Sequence, residues 1–157
     1  MRKLLLTVLV ALTATPAFAQ LPNPYGASIA LESARKIAAL SVAEANKNGW
    51  KMAVAIVDTA GDLVYFEKMD GTQVASVNIA QDKARSSVRF KRPTKAMQDV
   101  LAAGGAGVRF LALQGAIPVE GGLPLIMDGK IVGAIGASGG TSDQDGLAAK
   151  AGADSVK

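Results

Sequence analysis

The sequence predicts an α+β fold, an antiparallel sheet flanked by helices within a single domain. Two hairpin signals carry the sheet: Thr59-Ala60-Gly61-Asp62 and Asp128-Gly129 each join two short apolar runs. Amphipathic stretches of helical period lie between and around them, and no βαβ crossover is needed to connect the runs. Neither an internal repeat nor a low-complexity linker divides the chain.

Residues 1–19 read as a signal peptide rather than as part of the fold. Arg2 and Lys3 precede an apolar run from Leu4 to Leu12, and Ala17-Phe18-Ala19 places small residues for cleavage before Gln20. At roughly nine residues the run is too short to span about 30 Å of hydrocarbon. A periplasmic or secreted protein is expected, with residues 20–157 as its one domain and no membrane insertion after cleavage. Without Arg2 and Lys3 the formal charge of +4 becomes +2, which offers no footprint for nucleic acid.

The elements follow in order. Two prolines keep residues 20–26 extended. From Ala27 to Asn46 an alanine-rich arc (Ala30, Leu31, Ala34, Ile37, Ala38, Ser41, Val42, Ala45) predicts a helix, ended by Asn48-Gly49. Met52–Val57 is apolar throughout, as a strand buried on both faces would be, and Leu63–Lys68 completes its hairpin. Asp70 or Thr72 is expected to cap a second helix that runs to Phe90, with Val74, Val77, Ala80, Ala84 and Val88 as its core stripe. Thr94–Ala103 reads as a short helix after Pro93. Ile117–Glu120, Leu123–Met127 and Ile131–Ala137 read as three further strands, for five in all. Gly133 and Gly136 imply a close approach to the last of them. A helix over Ser142–Val156, with Ser142 and Asp145 as a loose capping box, ends the chain.

Composition removes most chemistries. The chain has no His and no Cys. A Ser-His-Asp or Cys-His nucleophile, a Cys/His zinc site, a Cys-held iron–sulfur cluster and a disulfide framework are therefore all excluded. No catalytic residue is assigned, and whether the chain is an enzyme stays open, with binding favoured. On the second helix Asn78, Asp82, Arg85 and Arg89 share one face, where Arg85 and Arg89 either form a solvated, salt-bridged surface or grip a carboxylate or phosphate. Lys83 lies on the flank of the core stripe, where it either snorkels or meets a ligand acid. Tyr65 is the only Tyr in an expected strand, and Met69, Met97 and Met127 suit core packing. Tyr and Met are nonetheless haem-iron ligands elsewhere. The run Gly133-x-x-Gly136-x-x-Gly139-Gly140-Thr141 matches neither common phosphate-loop spacing, although its helix N-terminus could hold an anion.

Five ordered motifs carry a resemblance: Met52-Ala-Val-Ala-Ile-Val-Asp58 with Gly61; Met69-Asp70-Gly71; Ala80-x-x-Lys83-Ala84; Gly121-Gly122-x-Pro124; and Gly133-Ala-Ile-Gly136-x-Ser138-Gly139 with Gln144-Asp145. Together they resemble the GlcG/HbpS family, also found as the C-terminal domain of PduO-type adenosyltransferases. The resemblance implies a profilin-like fold with a five-stranded antiparallel sheet, and a homo-oligomer. It also implies a ligand of the haem or related tetrapyrrole class. The alternatives it leaves are an enzyme or accessory acting on a small 2-hydroxy or 2-oxo acid such as glycolate, and a ligand-free oligomeric envelope protein. The ligand-binding candidates are Lys83, Arg85, Arg89, Tyr65, Met69, Asp70, Gly121, Gly122 and Pro124. Haem, if bound, has no His or Cys to ligate it here. Gly146 stands where the family commonly has an acidic residue after Asp145.

Overall fold

The computed structural model describes residues 23–156. The segment read as a signal peptide, and its cleavage point, lie outside them. Four strands form one sheet in the order β2-β1-β4-β3: β1 (Ala53–Val57), β2 (Leu63–Lys68), β3 (Gly122–Met127) and β4 (Lys130–Ser138). Every neighbouring pair is antiparallel. Helices α1 (Leu31–Lys47) and α4 (Ser142–Ala153) cover one face and α2 (Ser76–Phe90) the other, with α3 (Thr94–Ala102) beside α2. The α+β fold with an antiparallel sheet is as expected; the sheet has four strands, not five.

Ile117–Glu120 is the missing strand. Its N–H groups join no ladder: the Ile117 N–H donates to Ser86 Oγ at 2.9 Å, the Glu120 N–H to Gln98 Oε1 at 2.7 Å, and the Val119 N–H turns back to the Ile117 carbonyl at 2.9 Å. Before it, Gly105–Ala112 forms a 3-10 segment that the apolar pattern did not suggest.

The central strands explain their own sequences. All five residues of β1 are buried: Val54 and Ile56 face α1 and α4, while Ala53, Ala55 and Val57 face α2. Small residues let α2 lie close. A Cβ added at Gly136 of β4 would fall 2.0 Å from the Ala80 carbonyl oxygen, so only glycine admits the helix there. The β3–β4 turn uses Asp128 and Gly129 at φ 49° and 71°, the left-handed pair that a two-residue hairpin requires.

Helix boundaries moved for identifiable reasons. α1 starts at Leu31 rather than Ala27 because the preceding residues pair with β4. The Gly26 N–H donates to the Ile131 carbonyl and the Ile29 N–H to the Val132 carbonyl, each at 2.8 Å. That pairing also buries Ile29, while Ala30 and Leu31 of the expected arc are exposed. α2 starts at Ser76, and neither Asp70 nor Thr72 caps it: Thr72 Oγ1 donates to the Met69 carbonyl in a turn, which leaves Val74 86% exposed. The capping box of α4 is Thr141 with Gln144, one residue before the expected pair, because Asp145 is engaged elsewhere.

Candidate functional site

The nine candidates do not form one site. Lys83, Gly121 and Gly122 come together at the end of β4; Arg85 and Arg89 meet the β1–β2 turn; Tyr65, Met69 and Asp70 lie along and after β2; Pro124 stands on the β3 edge.

Lys83 is the largest fully buried side chain among the described residues. Its Nζ donates to Asp145 Oδ2 at 2.7 Å and to the Ala137 carbonyl at 3.2 Å. Asp145 Oδ1 accepts from the Gly140 N–H at 2.9 Å. The two side chains are 1% and 5% exposed, and the backbone at Gly121 closes over them. A Cβ there would fall 2.8 Å from Lys83 Nζ. Burial raises the Asp145 carboxyl above the ordinary range, opposed by the bond and charge of Lys83 and by the Gly140 and Gly139 N–H groups. A sealed pair of this kind organises structure; Lys83 lines neither of the grooves described below. Asp145 was not among the candidates, although a lysine inside an apolar helix flank needs a carboxylate partner somewhere.

Glu120 sits beside this pair. Its Oε2 is buried with no hydrogen-bond partner among the described residues, and its carboxylate occupies the space a side chain at residue 146 would take, 2.3 Å from an added Cβ. Burial raises its pKa, with Asp143 and Asp99 adding and Lys95 and Lys83 opposing. On β2, Tyr65 Oη donates to Glu67 Oε2 at 3.1 Å, which with partial burial raises the phenol's pKa. Met69 Sδ accepts from the Met52 N–H at 3.4 Å.

The concave site lies elsewhere, along the outer edge of β3. A groove of about 650 Å³ has Leu123, Pro124, Ile126, Ala153 and Val156 as apolar walls. Lys91 and Lys150 are its cations, with Asn23, Pro93 and Asp154 completing it. Lys91 Nζ lies 4.2 Å from the centre of the Tyr25 ring, and Lys150 pairs with Asp154. A second groove of about 330 Å³ adjoins it at Val156 and includes Lys36, Leu40 and Met127. The β3 edge is closed to an added strand. Thr94 Oγ1 accepts from the Gly122 N–H at 2.9 Å and donates back to its carbonyl at 3.5 Å, and Pro124 has no N–H. The groove therefore does not offer a free edge to an added β-strand.

Residues 29–154 match the family model described as "Haem degrading protein HbpS-like". The chain belongs to the HbpS-like family. It is 34% identical over 107 residues to protein GlcG of Escherichia coli (strain K12), covering 68% of this chain and 78% of that protein. A crystal structure of HbpS superposes with a TM-score of 0.77 at 30% identity, over 84% of this chain and 92% of that one. A PduOC:haem complex shares the fold, with a TM-score of 0.74 at 23% identity over 83% and 96%.

Three of the motif groups behind the resemblance thus build the Lys83–Asp145 closure, and Pro124 alone of the nine candidates lines the groove. Lys91 and Lys150 were missed because neither stands in a motif; the fold brings them together from the ends of α2 and α4.

Proposed function

We propose that this protein binds haem or a related anionic tetrapyrrole in the groove along β3. The observation that carries the reading is the groove's composition: apolar walls of aliphatic side chains with two lysines, in a volume within the range of small-molecule sites. A porphyrin offers a broad apolar face and two carboxylates. Leu123, Ile126 and Val156 suit the face, and Lys91 and Lys150 suit the carboxylates. Lys150 would exchange its present partner, Asp154, for a propionate.

The lining fits the ring better than the metal. It contains no His, Cys, Met or Tyr, so it brings no strong ligand to the iron. Bound haem supplies redox chemistry at iron. The chain's own part is to cover the apolar face and hold the carboxylates. Family membership and the haem complex of a protein of the same fold support the reading. Haemin titration followed in the Soret band tests it: wild type is expected to saturate, and Lys91→Ala with Lys150→Ala to bind more weakly. A titration matching that of a non-binding control protein overturns it.

Export and self-association belong to the same proposal. Residues 1–19 support export, tested by N-terminal sequencing of material outside the cytoplasm, which should begin at Gln20. Exposed Val100 on α3, Val108 and Leu111 on the 3-10 segment and Leu113 just after it support an oligomer. Light scattering that gives a monomer at micromolar concentration overturns that part.

A further inference from the structure

We propose that Arg89, with Arg85 beside it, forms a second site, one for a small oxyanion of the carboxylate or phosphate type. The two arginines stand one turn apart on α2 and face the turn between β1 and β2. Arg85 is engaged within the chain: Nε donates to the Gly61 carbonyl at 3.4 Å, Nη1 to Asp82 at 3.4 Å and Nη2 to Gln81 Oε1 at 3.2 Å. Arg89 makes no side-chain hydrogen bond and no ion pair among the described residues.

Its side chain is exposed, and its guanidinium lies beside two turns. A Cβ added at Gly61 would lie 3.3 Å from Arg89 Nε, and one at Gly115 3.4 Å from Nη1. Both glycines have left-handed φ, 92° and 79°, and put no side chain over the guanidinium. A planar fork of five N–H donors thus stands between two loops with no acceptor among the described residues. Among the described residues Asp82 is the single carboxylate paired with either arginine; Asp58 and Asp62 stand in the same turn, where Asp58 Oδ1 accepts from the Ala60 and Asp62 N–H groups. A planar or tetrahedral oxyanion matches the fork bidentately. The helix C-terminus favours the cations and opposes the anion, which sets the affinity low.

The site is independent of the tetrapyrrole groove. Nitrogen-15 NMR of the arginine side chains, at constant ionic strength, tests it with inorganic phosphate and with acetate as probes. The Arg89 Nε–H signal is expected to shift saturably with phosphate, acetate or both, and not with equal chloride; which probe acts separates a phosphate site from a carboxylate site. Monitored at Arg85, Arg89→Gln is expected to weaken binding at least about tenfold, and Arg89→Lys, which keeps charge without the fork, by less. Both variants should leave haemin titration unchanged. Unsaturable shifts, shifts equal to those with chloride, or undiminished binding in Arg89→Gln overturn the proposal.

Discussion

Lys83 and Asp145 belong to helices packed on opposite faces of the sheet, and their ammonium and carboxylate meet at 2.7 Å past the end of β4. The pair joins the two helical layers around the sheet rather than through it. Gly121 and Gly122 are small because the backbone must pass directly over it: an added Cβ at Gly122 would fall 2.4 Å from the Lys83 carbonyl oxygen.

Removing one partner leaves the other charge buried and alone. Asp145→Asn and Lys83→Met are each expected to cost about 3–5 kcal/mol. The double variant should cost less than the sum of the two, since it leaves no orphaned charge. Urea denaturation of the four proteins checks this; additive losses would show that the pair is not the unit.

Glu120 gives a pH dependence whose sign is fixed. Burial raises its folded pKa, so the folded chain binds that proton more tightly than the unfolded one does. Its contribution is fully present below the unfolded carboxylate pKa, about 4.3, and is lost as pH rises through the raised folded value. Glu120→Gln should therefore gain stability relative to wild type between pH 4 and pH 7. A difference that stays constant with pH, in denaturant midpoints, would contradict it.

Gly136→Ala tests the close approach of α2. A methyl group there must displace the Ala80 carbonyl, and overpacking of this kind costs about 1–3 kcal/mol. Thermal unfolding near the wild-type midpoint would show that the helix can shift freely.

Replacing Arg85 and Arg89 together by Gln should change stability by no more than about 1 kcal/mol, because the one ion pair involved, Arg85–Asp82, is partly exposed and long at 3.4 Å. A larger loss in the same denaturation assay would make the arginines part of the packing instead of a surface for ligand.

The sheet was legible because its strands are short and buried on characteristic faces. Leu63–Lys68 and the end of α2 at Phe90 stand as the pattern predicts, and the Asp82–Arg85 pair forms as spacing suggests. What local pattern cannot carry is a long-range partner. Ile117–Glu120 looks like a strand, yet Ser86 and Gln98 take its N–H groups. Ile29 looks like a surface residue of α1, yet it is drawn into the core by pairing with Val132. The groove was illegible for the same reason, since its lysines stand 59 residues apart in the sequence and meet only through the fold.

Tetrapyrrole binding in the β3 groove can be read residue by residue. Backbone amide signals compared between complexes with iron(III) haemin and with zinc protoporphyrin locate the ring directly, because only the iron broadens nearby resonances. The predicted result is saturable broadening centred on Leu123, Ile126, Ala153 and Val156, with Gly61 and Tyr65 unaffected. Broadening centred on Tyr65 or the Gly61 turn, or spread evenly without saturation, would contradict the account.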